Sequence, residues 1–437
     1  MRVIPLRQKM GIIGQSQQIQ SILRSLRHRN FRLFFGGQAV SLIGTWMQQI
    51  AMSWLVYRLT DSPLLLGVVG FSSHIPAFIF APIAGVYADR LNRYHLLIAT
   101  QTLAMVQAFV LAFLTLTGVV QVWHIIALSL FLGFVYSMDI PVRQSFFIEM
   151  LDRKEDLGNA IALNSFLFNG ARLIGPSVAG VMIAFTGEGI CFLLNGVSFF
   201  AIILALLAMR IPKKEISVRH THLKEGLMEG YRYVRDFVPI RYILLQIALM
   251  SFMGMPYAVL LPVFAKDILL GGPHTLGFLM GASGLGALTG ALFLASRRTV
   301  VGLGRWIAMT SGLFGAGIIA FAASKVLLFS MVMMFVTGFG MMVQMASSNT
   351  ILQTIVDEDK RGRVMSFFTV SFMGMAPFGS LFAGLLASVI GAPGTLVITG
   401  VCCMIGAVLF YRHLPEIRRH IRPIYQKMGI LPQVPSA

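Results

Sequence analysis

Long apolar stretches alternate with short polar ones along the whole chain, and the apolar stretches share one characteristic length. Twelve of them fall at about 31–57, 64–87, 95–117, 122–146, 159–183, 189–209, 240–263, 275–296, 305–323, 326–351, 363–389 and 394–412. Each reaches the ~20 residues a helix needs to cross the hydrocarbon core of a bilayer. Backbone groups cannot go unpaired in lipid, so stretches of this kind must be helical. The pattern predicts an all-α membrane protein of twelve transmembrane helices. The longest polar stretch between spans, 210–239, divides them six and six. Within it Leu223, Leu227 and Val234 share one helical face, which predicts a short amphipathic helix. The expected organisation is a terminal segment 1–30, a six-helix bundle 31–209, a linker 210–239, a second bundle 240–412 and a tail 413–437.

The two halves repeat. At an offset of 204 residues Gly362 falls on Gly158, Gly379 on Gly175 and Gly384 on Gly180. The charged run Asp357-Glu358-Asp359-Lys360 falls on Arg153-Lys154-Glu155-Asp156. Each run follows the fourth span of its half. Two parallel repeats with the substrate between them near the midplane are a recognised transporter plan.

Composition narrows the class. Of 437 residues 56% are hydrophobic and 12% charged, too little charge for a soluble fold of this size and too much apolar content for disorder. The net charge of +18 invites a nucleic-acid partner, but its distribution argues otherwise. With the N-terminus inside, 31 of the 35 Lys and Arg residues lie on the cytoplasmic side. Arg58, Lys266 and Lys325 lie opposite, and Arg172 lies within a span. This is the positive-inside pattern, which puts both termini in the cytoplasm of a multi-pass inner-membrane protein. The partner of the basic excess is then anionic lipid rather than nucleic acid. Residues 1–30 lack an apolar core with a cleavage site, so the first span is expected to be an uncleaved anchor. Cys191, Cys402 and Cys403 sit in spans without zinc or disulfide spacing. No P-loop, HExxH or GxSxG is present, so neither direct ATP use nor membrane proteolysis is expected, and no cofactor or metal.

The loop after the second span reads Gly85-Val86-Tyr87-Ala88-Asp89-Arg90-Leu91-Asn92-Arg93. An Asp and two Arg in a short turn can form a charge cluster that locks one conformation. The loop resembles the signature G-x-x-x-D-R-x-G-R of the major facilitator superfamily. Asn92 replaces the second glycine of that signature, and asparagine tolerates the left-handed backbone such a turn would need. Further on come Asp139-Ile140-Pro141-Val142-Arg143-Gln144, Gly158-Asn159-Ala160, Ala171-Arg172-Leu173-Ile174-Gly175-Pro176 with Gly180, and Arg361-Gly362-Arg363. These resemble the branch of the superfamily that includes the enterobactin exporter, macrolide efflux proteins and transmembrane secretion effectors. The resemblance implies a twelve-helix fold and export by proton antiport. Gly175, Pro176 and Gly180 resemble the packing element of its antiporters. Physically, Pro176 removes a helical hydrogen bond and the glycines permit close helix packing. An uptake permease or a lipid flippase on the same fold stays open.

Ionisable groups inside the membrane are functional candidates by default. Arg172 lies about 20 Å along its span and Asp139 about 10 Å from the inner end of its own, at ~1.5 Å per residue. Asp139 either carries the coupling proton or pairs with Arg93 or Arg90 in the lock, which its depth suits. Arg172 is either a counter-charge for an anionic substrate or a structural arginine capped by carbonyls and Asn164, Asn169 or Asn195. A lone His74 beside Pro76 suits packing or a kink. In the superfamily the first, fourth, seventh and tenth helices line the cavity. Here the first, seventh and tenth carry polar faces at helical spacing: Gln38, Ser41, Thr45 and Gln48; Gln246, Met250, Met253 and Tyr257; Thr337, Met341, Gln344 and Ser348. A neutral face with adaptable methionine suits a large amphipathic ligand, and helix-to-helix hydrogen bonding is the alternative use of such residues. The expected partners are a small-molecule substrate, protons and membrane lipid, with one chain as the working unit.

Overall fold

A computed structural model describes residues 24–90, 92–210, 223–297 and 299–432, without the side chains of 81–90, 148, 154, 223–227, 229, 230 and 359. The described residues are almost wholly helical. α1 (Arg29–Thr60), α2 (Pro63–Arg90), α3 (Arg93–Leu116), α4 (Val122–Phe146), α5 (Leu157–Thr186) and α6 (Glu188–Leu207) form the first half. A short helix, α7 (Leu223–Asp236), precedes the second half. That half contains α8 (Val238–Ile268), α9 (Pro273–Ala295), α10 (Leu303–Ala322), α11 (Leu327–Ile355), α12 (from Glu358) and α13 (to Lys427). Gly391, with φ 80° and ψ 160°, breaks α12 from α13, a conformation glycine adopts without a Cβ penalty.

Ten stretches are long and apolar enough to cross a membrane, and the last of them, Lys360–Lys427, is α12 and α13 together. α1 is long enough but more polar. Its Gln38, Ser41 and Gln48 are buried in protein, so lipid does not meet them. Apolar side chains instead face outward, as with Phe185 and Leu328, 85% and 72% exposed. The chain is a multi-pass membrane protein with twelve crossing helices, in the arrangement the hydropathy pattern predicts.

Local chemistry explains several element ends. Asn92 is not left-handed: its φ is −68°, and its side chain accepts from the Tyr94 and His95 amides at 3.0 and 3.3 Å. It caps α3, satisfying donors a glycine would leave free. α8 contains two π turns, Met250–Gly254 and Phe264–Ile268, and α12 contains another, Val370–Gly374. The first and third meet where Ser251 Oγ donates to the Phe372 carbonyl. Such turns insert a residue into the helical ladder and cluster at functional positions.

The buried apolar groups fall into three clusters. One draws on both halves, from Tyr57 and Leu66 to Leu260 and Ala383, and lies toward the face away from the termini. The other two lie toward the terminal face. One belongs wholly to the first half and one wholly to the second. The halves therefore share a core at one end and part at the other.

Glycines make the shared end possible. A Cβ on Gly180 would lie 2.8 Å from the Pro273 carbonyl and 2.9 Å from Gly277 Cα. A Cβ on Gly67 would lie 2.7 Å from the Ser380 carbonyl and 2.9 Å from Gly384 Cα. So α5 meets α9, and α2 meets α12, backbone on backbone. Gly180 and Gly384 are 204 residues apart, and Gly67 and Gly277 are 210 apart, so one contact is the repeat image of the other. Without a hydrophobic drive between helices in lipid, this close approach supplies the attraction.

A methyl group on this seam has only backbone to push against. Gly384→Ala should destabilise the folded protein by about 1–3 kcal/mol, whereas Gly36→Ala, with nothing within 4 Å, should be neutral or stabilising. Thermal unfolding of both variants in one detergent checks this. Equal midpoints would mean the seam is not tight.

Candidate functional site

Polar links at the two ends of the bundle differ in kind. At the end away from the termini, Tyr57 donates to Asp267 Oδ2 and Lys266 donates to Asp61 Oδ1. Both contacts cross between the halves. Asp61 follows α1 at φ 46°, a left-handed backbone that aspartate tolerates, and this turn presents its carboxylate to Lys266. The Lys266 ammonium also lies 5.4 Å from the centroid of the Tyr57 ring. Beside this latch Arg58 holds Glu188 through two bonds, at 2.7 and 3.2 Å, tying α1 to α6. None of the latch residues was singled out in the sequence. The available signal was Lys266, a rare cation on the poorly charged side.

At the terminal end the described polar links stay within a half. His28, just before α1, lies between Asp152 Oδ2 and Asp156 Oδ2, 2.8 Å from each. Arg24 pairs with Asp156, and the Ser25 amide donates to Asn159 Oδ1 at 3.0 Å. The start of α1 is thereby clasped to the segment between α4 and α5. Burial lowers the His28 pKa, but the bonds to Asp152 and Asp156 outweigh it and hold the pKa above the usual 6.5. The His28 bond in turn holds the Asp156 carboxyl below its ordinary value.

Asp139 is fully buried in α4. Its Oδ1 accepts from Thr100 Oγ1 at 2.9 Å and Gln101 Nε2 at 2.7 Å, and its Oδ2 pairs with Arg143, one turn on. Among the described residues Arg143 is a cation beside Asp139, a partner not expected from the sequence; the side chain of Arg90, one of the two expected, is not described. Arg93 donates to Glu149 at 3.0 Å. The reason is local: residues four apart share a helix face. Gly85, Asp89 and Arg90 of the signature loop fall at the end of α2, and their side-chain contacts lie outside what is described.

Arg172 is half-buried in α5, with its guanidinium 5.8 Å from the Trp46 ring of α1. Two of the three asparagines expected to cap it have bonds elsewhere: Asn195 donates to Gln48 at 2.8 Å and Asn169 to the Ser165 carbonyl at 2.8 Å. Gly175, one turn further along α5, packs on α1, where its Cβ would lie 3.0 Å from the Ile43 carbonyl. Pro176 presents its carbonyl to Gly277 at the seam.

The three polar faces divide. Gln48 turns away from the interface into a chain with Gln107 of α3, at 2.8 Å, and Asn195 of α6. Thr45 donates to the Ser41 carbonyl at 2.9 Å. Gln38 and Gln246 are buried, and each leaves one amide atom unpaired within the described protein. Tyr257 bonds Ser283 at 2.9 Å. Met250, Met341 and Gln344 do converge, with Phe314 and Phe372, on a void of about 10 Å³. That is room for one water.

Three comparisons bear on this geometry. Residues 20–425 match the family profile described as transmembrane secretion effector. The staphyloferrin A transporter of Staphylococcus aureus is 26% identical over 87% of this chain and 95% of its own length. A multidrug efflux pump of Mycolicibacterium fortuitum is 25% identical over 86% and 93%. The enterobactin exporter of Shigella boydii is 23% identical over 90% and 93%. Among solved structures, a bacterial homologue of the human lysosomal transporter Spinster, inward-facing and unoccupied, superposes with a TM-score of 0.71 at 12% identity. That match covers 91% of this chain and 98% of the other.

The latch is built of partly exposed pairs, each worth ~0.2–1 kcal/mol, so removing it should shift populations severalfold without unfolding the protein. Spin labels at Ser62 and Leu270, one on each half, should show a longer distance population in the Asp61→Asn/Asp267→Asn variant. An unchanged distribution would remove the latch from the switching energetics. The His28 clasp has its own signature. A raised histidine pKa contributes stability fully below the unfolded value of 6.5 and loses it as pH rises through the folded value. Proteolytic release of the N-terminal segment should therefore accelerate in the wild type as pH is raised through a window that begins at the usual histidine value of 6.5. In His28→Gln it should be fast and independent of pH over that window, and matching profiles would refute the clasp.

Proposed function

Because the chain belongs to the transmembrane secretion effector family of major facilitator transporters, we propose that it exports a small amphipathic molecule across the cytoplasmic membrane by alternating access, driven by proton entry. It is a transporter and not an enzyme, like its relatives. Relatives named for multidrug efflux and enterobactin export support the outward direction. The staphyloferrin A and enterobactin transporters among them support a drug-like or siderophore-like cargo. The skewed distribution of Lys and Arg supports cytoplasmic termini.

The observation that carries this reading is the unequal closure of the bundle. The halves share a core and a latch away from the termini and keep separate cores beside them. With the termini in the cytoplasm this is an inward-open state, ready to load cargo from inside. Rocking about the glycine seam would present the same site outside.

Within that site Arg172 serves as the cargo's counter-charge. It sits on the open side of the Gly180–Gly277 contact, its carbonyl toward Gly284 of α9 and its guanidinium beside the Trp46 ring, and among the described residues no carboxylate pairs with it. A half-buried cation without an acid partner favours an anionic group, and the indole offers a flat apolar surface beside it. Asp139 has the opposite setting. Three donors converge on its two oxygens, which supports a fixed partner for Arg143 over a proton carrier.

Efflux measured in inverted vesicles tests these assignments. Arg172→Ala should lose at least tenfold in transport of an anionic cargo, about 1.4 kcal/mol or more, with folding intact. Asp139→Asn should fail mainly in folded yield, because it strands a buried Arg143 at a cost of about 3–5 kcal/mol. A well-folded Asp139→Asn that transports without regard to the pH gradient would make Asp139 the proton carrier instead. Wild-type efflux that ignores collapse of the gradient would remove proton coupling altogether.

A further inference from the structure

A second cavity, far from Arg172, lies at the terminal end of the second half. Its volume is about 390 Å³, within the ~300–1,000 Å³ range of ligand pockets. Ile243 of α8, Ile351 of α11, and Phe410 and Ile421 of α13 wall it. Val301, between α9 and α10, closes one side. Arg418 and Arg422 also line it and are exposed, so they stand at its mouth. They are four residues apart on one face of α13. No acidic side chain is among the described residues that line it.

We propose that this cavity binds an anionic phospholipid, the acyl chain in the apolar pocket and the phosphate between Arg418 and Arg422. Charge complementarity selects the occupant. Arginine's planar fork matches phosphate oxygens, and two of them without an acid leave a net positive mouth over an apolar interior. The cavity also lies where a headgroup would be. α13 runs on from its apolar span into Arg412–Lys427, whose cationic side chains are exposed while Leu414, Ile417, Ile421 and Tyr425 are buried against the bundle. A helix of that kind lies at the boundary between acyl chains and headgroups, where basic pockets take acidic lipids. The chain's own N-terminal stretch is a poor occupant, since residues 1–23 carry Arg2, Arg7 and Lys9 and no acid.

Native mass spectrometry of the purified full chain tests this, with phosphatidylglycerol or phosphatidylcholine of identical acyl chains titrated into the detergent. Phosphatidylglycerol should remain bound in preference to phosphatidylcholine. Arg418→Gln/Arg422→Gln should weaken it on the order of tenfold. Arg412→Gln/Arg419→Gln, which removes the same charge from the same helix outside the cavity, should cost less than about twofold. Val301→Trp should weaken binding of the lipid with all four arginines in place. Equal retention of the two lipids would overturn the proposal. So would equal losses in the two double variants, which would indicate diffuse surface attraction, or full retention in Val301→Trp.

Discussion

Backbone-to-backbone contact at two glycine pairs, Gly180 with Gly277 and Gly67 with Gly384, governs how the halves meet. In lipid, apolar side chains on neighbouring helices gain little by touching one another, because the acyl chains are as apolar as they are. Small residues change that balance by letting whole helix surfaces come within van der Waals range. The shared core, the latch above it and the divergence below all follow from where those contacts sit. Had they lain at the terminal end, the same twelve helices would open the other way.

The polar groups are distributed to suit that frame. In the first half they form chains, Asp139 with Thr100, Gln101 and Arg143, and Gln48 with Gln107 and Asn195, in which Gln107 Nε2 and Arg143 Nε find no partner among the described residues. These hold α1, α3, α4 and α6 in fixed relation, because a buried polar group left unpaired is costly. The second half is less regular. α8 and α12 carry π turns where α1 and α5 run as plain helices. The repeat therefore has a stiffer member and a more deformable one.

Much of this could be read from residue order, and the failures have definite causes. Span length and spacing foretold the twelve helices because the bilayer imposes both. The offset of 204 residues picked out Gly180 and Gly384, one member of each close approach, but not their partners Gly277 and Gly67, which fall at a different offset. Arg143, one helical turn from Asp139, was passed over as a charge partner because attention went to the motif loop. Asn92 was given a turn conformation where it serves as a cap. The latch joins Tyr57 and Asp61 to residues about 210 positions later, and nothing local announces such a pairing. The polar faces show what periodicity leaves open. A helix inside a bundle meets protein on most sides, so periodicity groups Gln38, Thr45 and Gln48 together without saying which neighbour they address.

A joint made of main chain has a consequence for sequence change. Side chains elsewhere can be exchanged without altering the four glycine contacts themselves, which are made to backbone atoms. The walls around Arg172 and the void beside Met250 can be resized, recharged or repacked while the rocking geometry stays as it is. What moves and what is recognised are thereby encoded at separate positions. A fold with that separation can take on a new cargo through substitutions in its cavity, leaving the glycines of its pivot untouched.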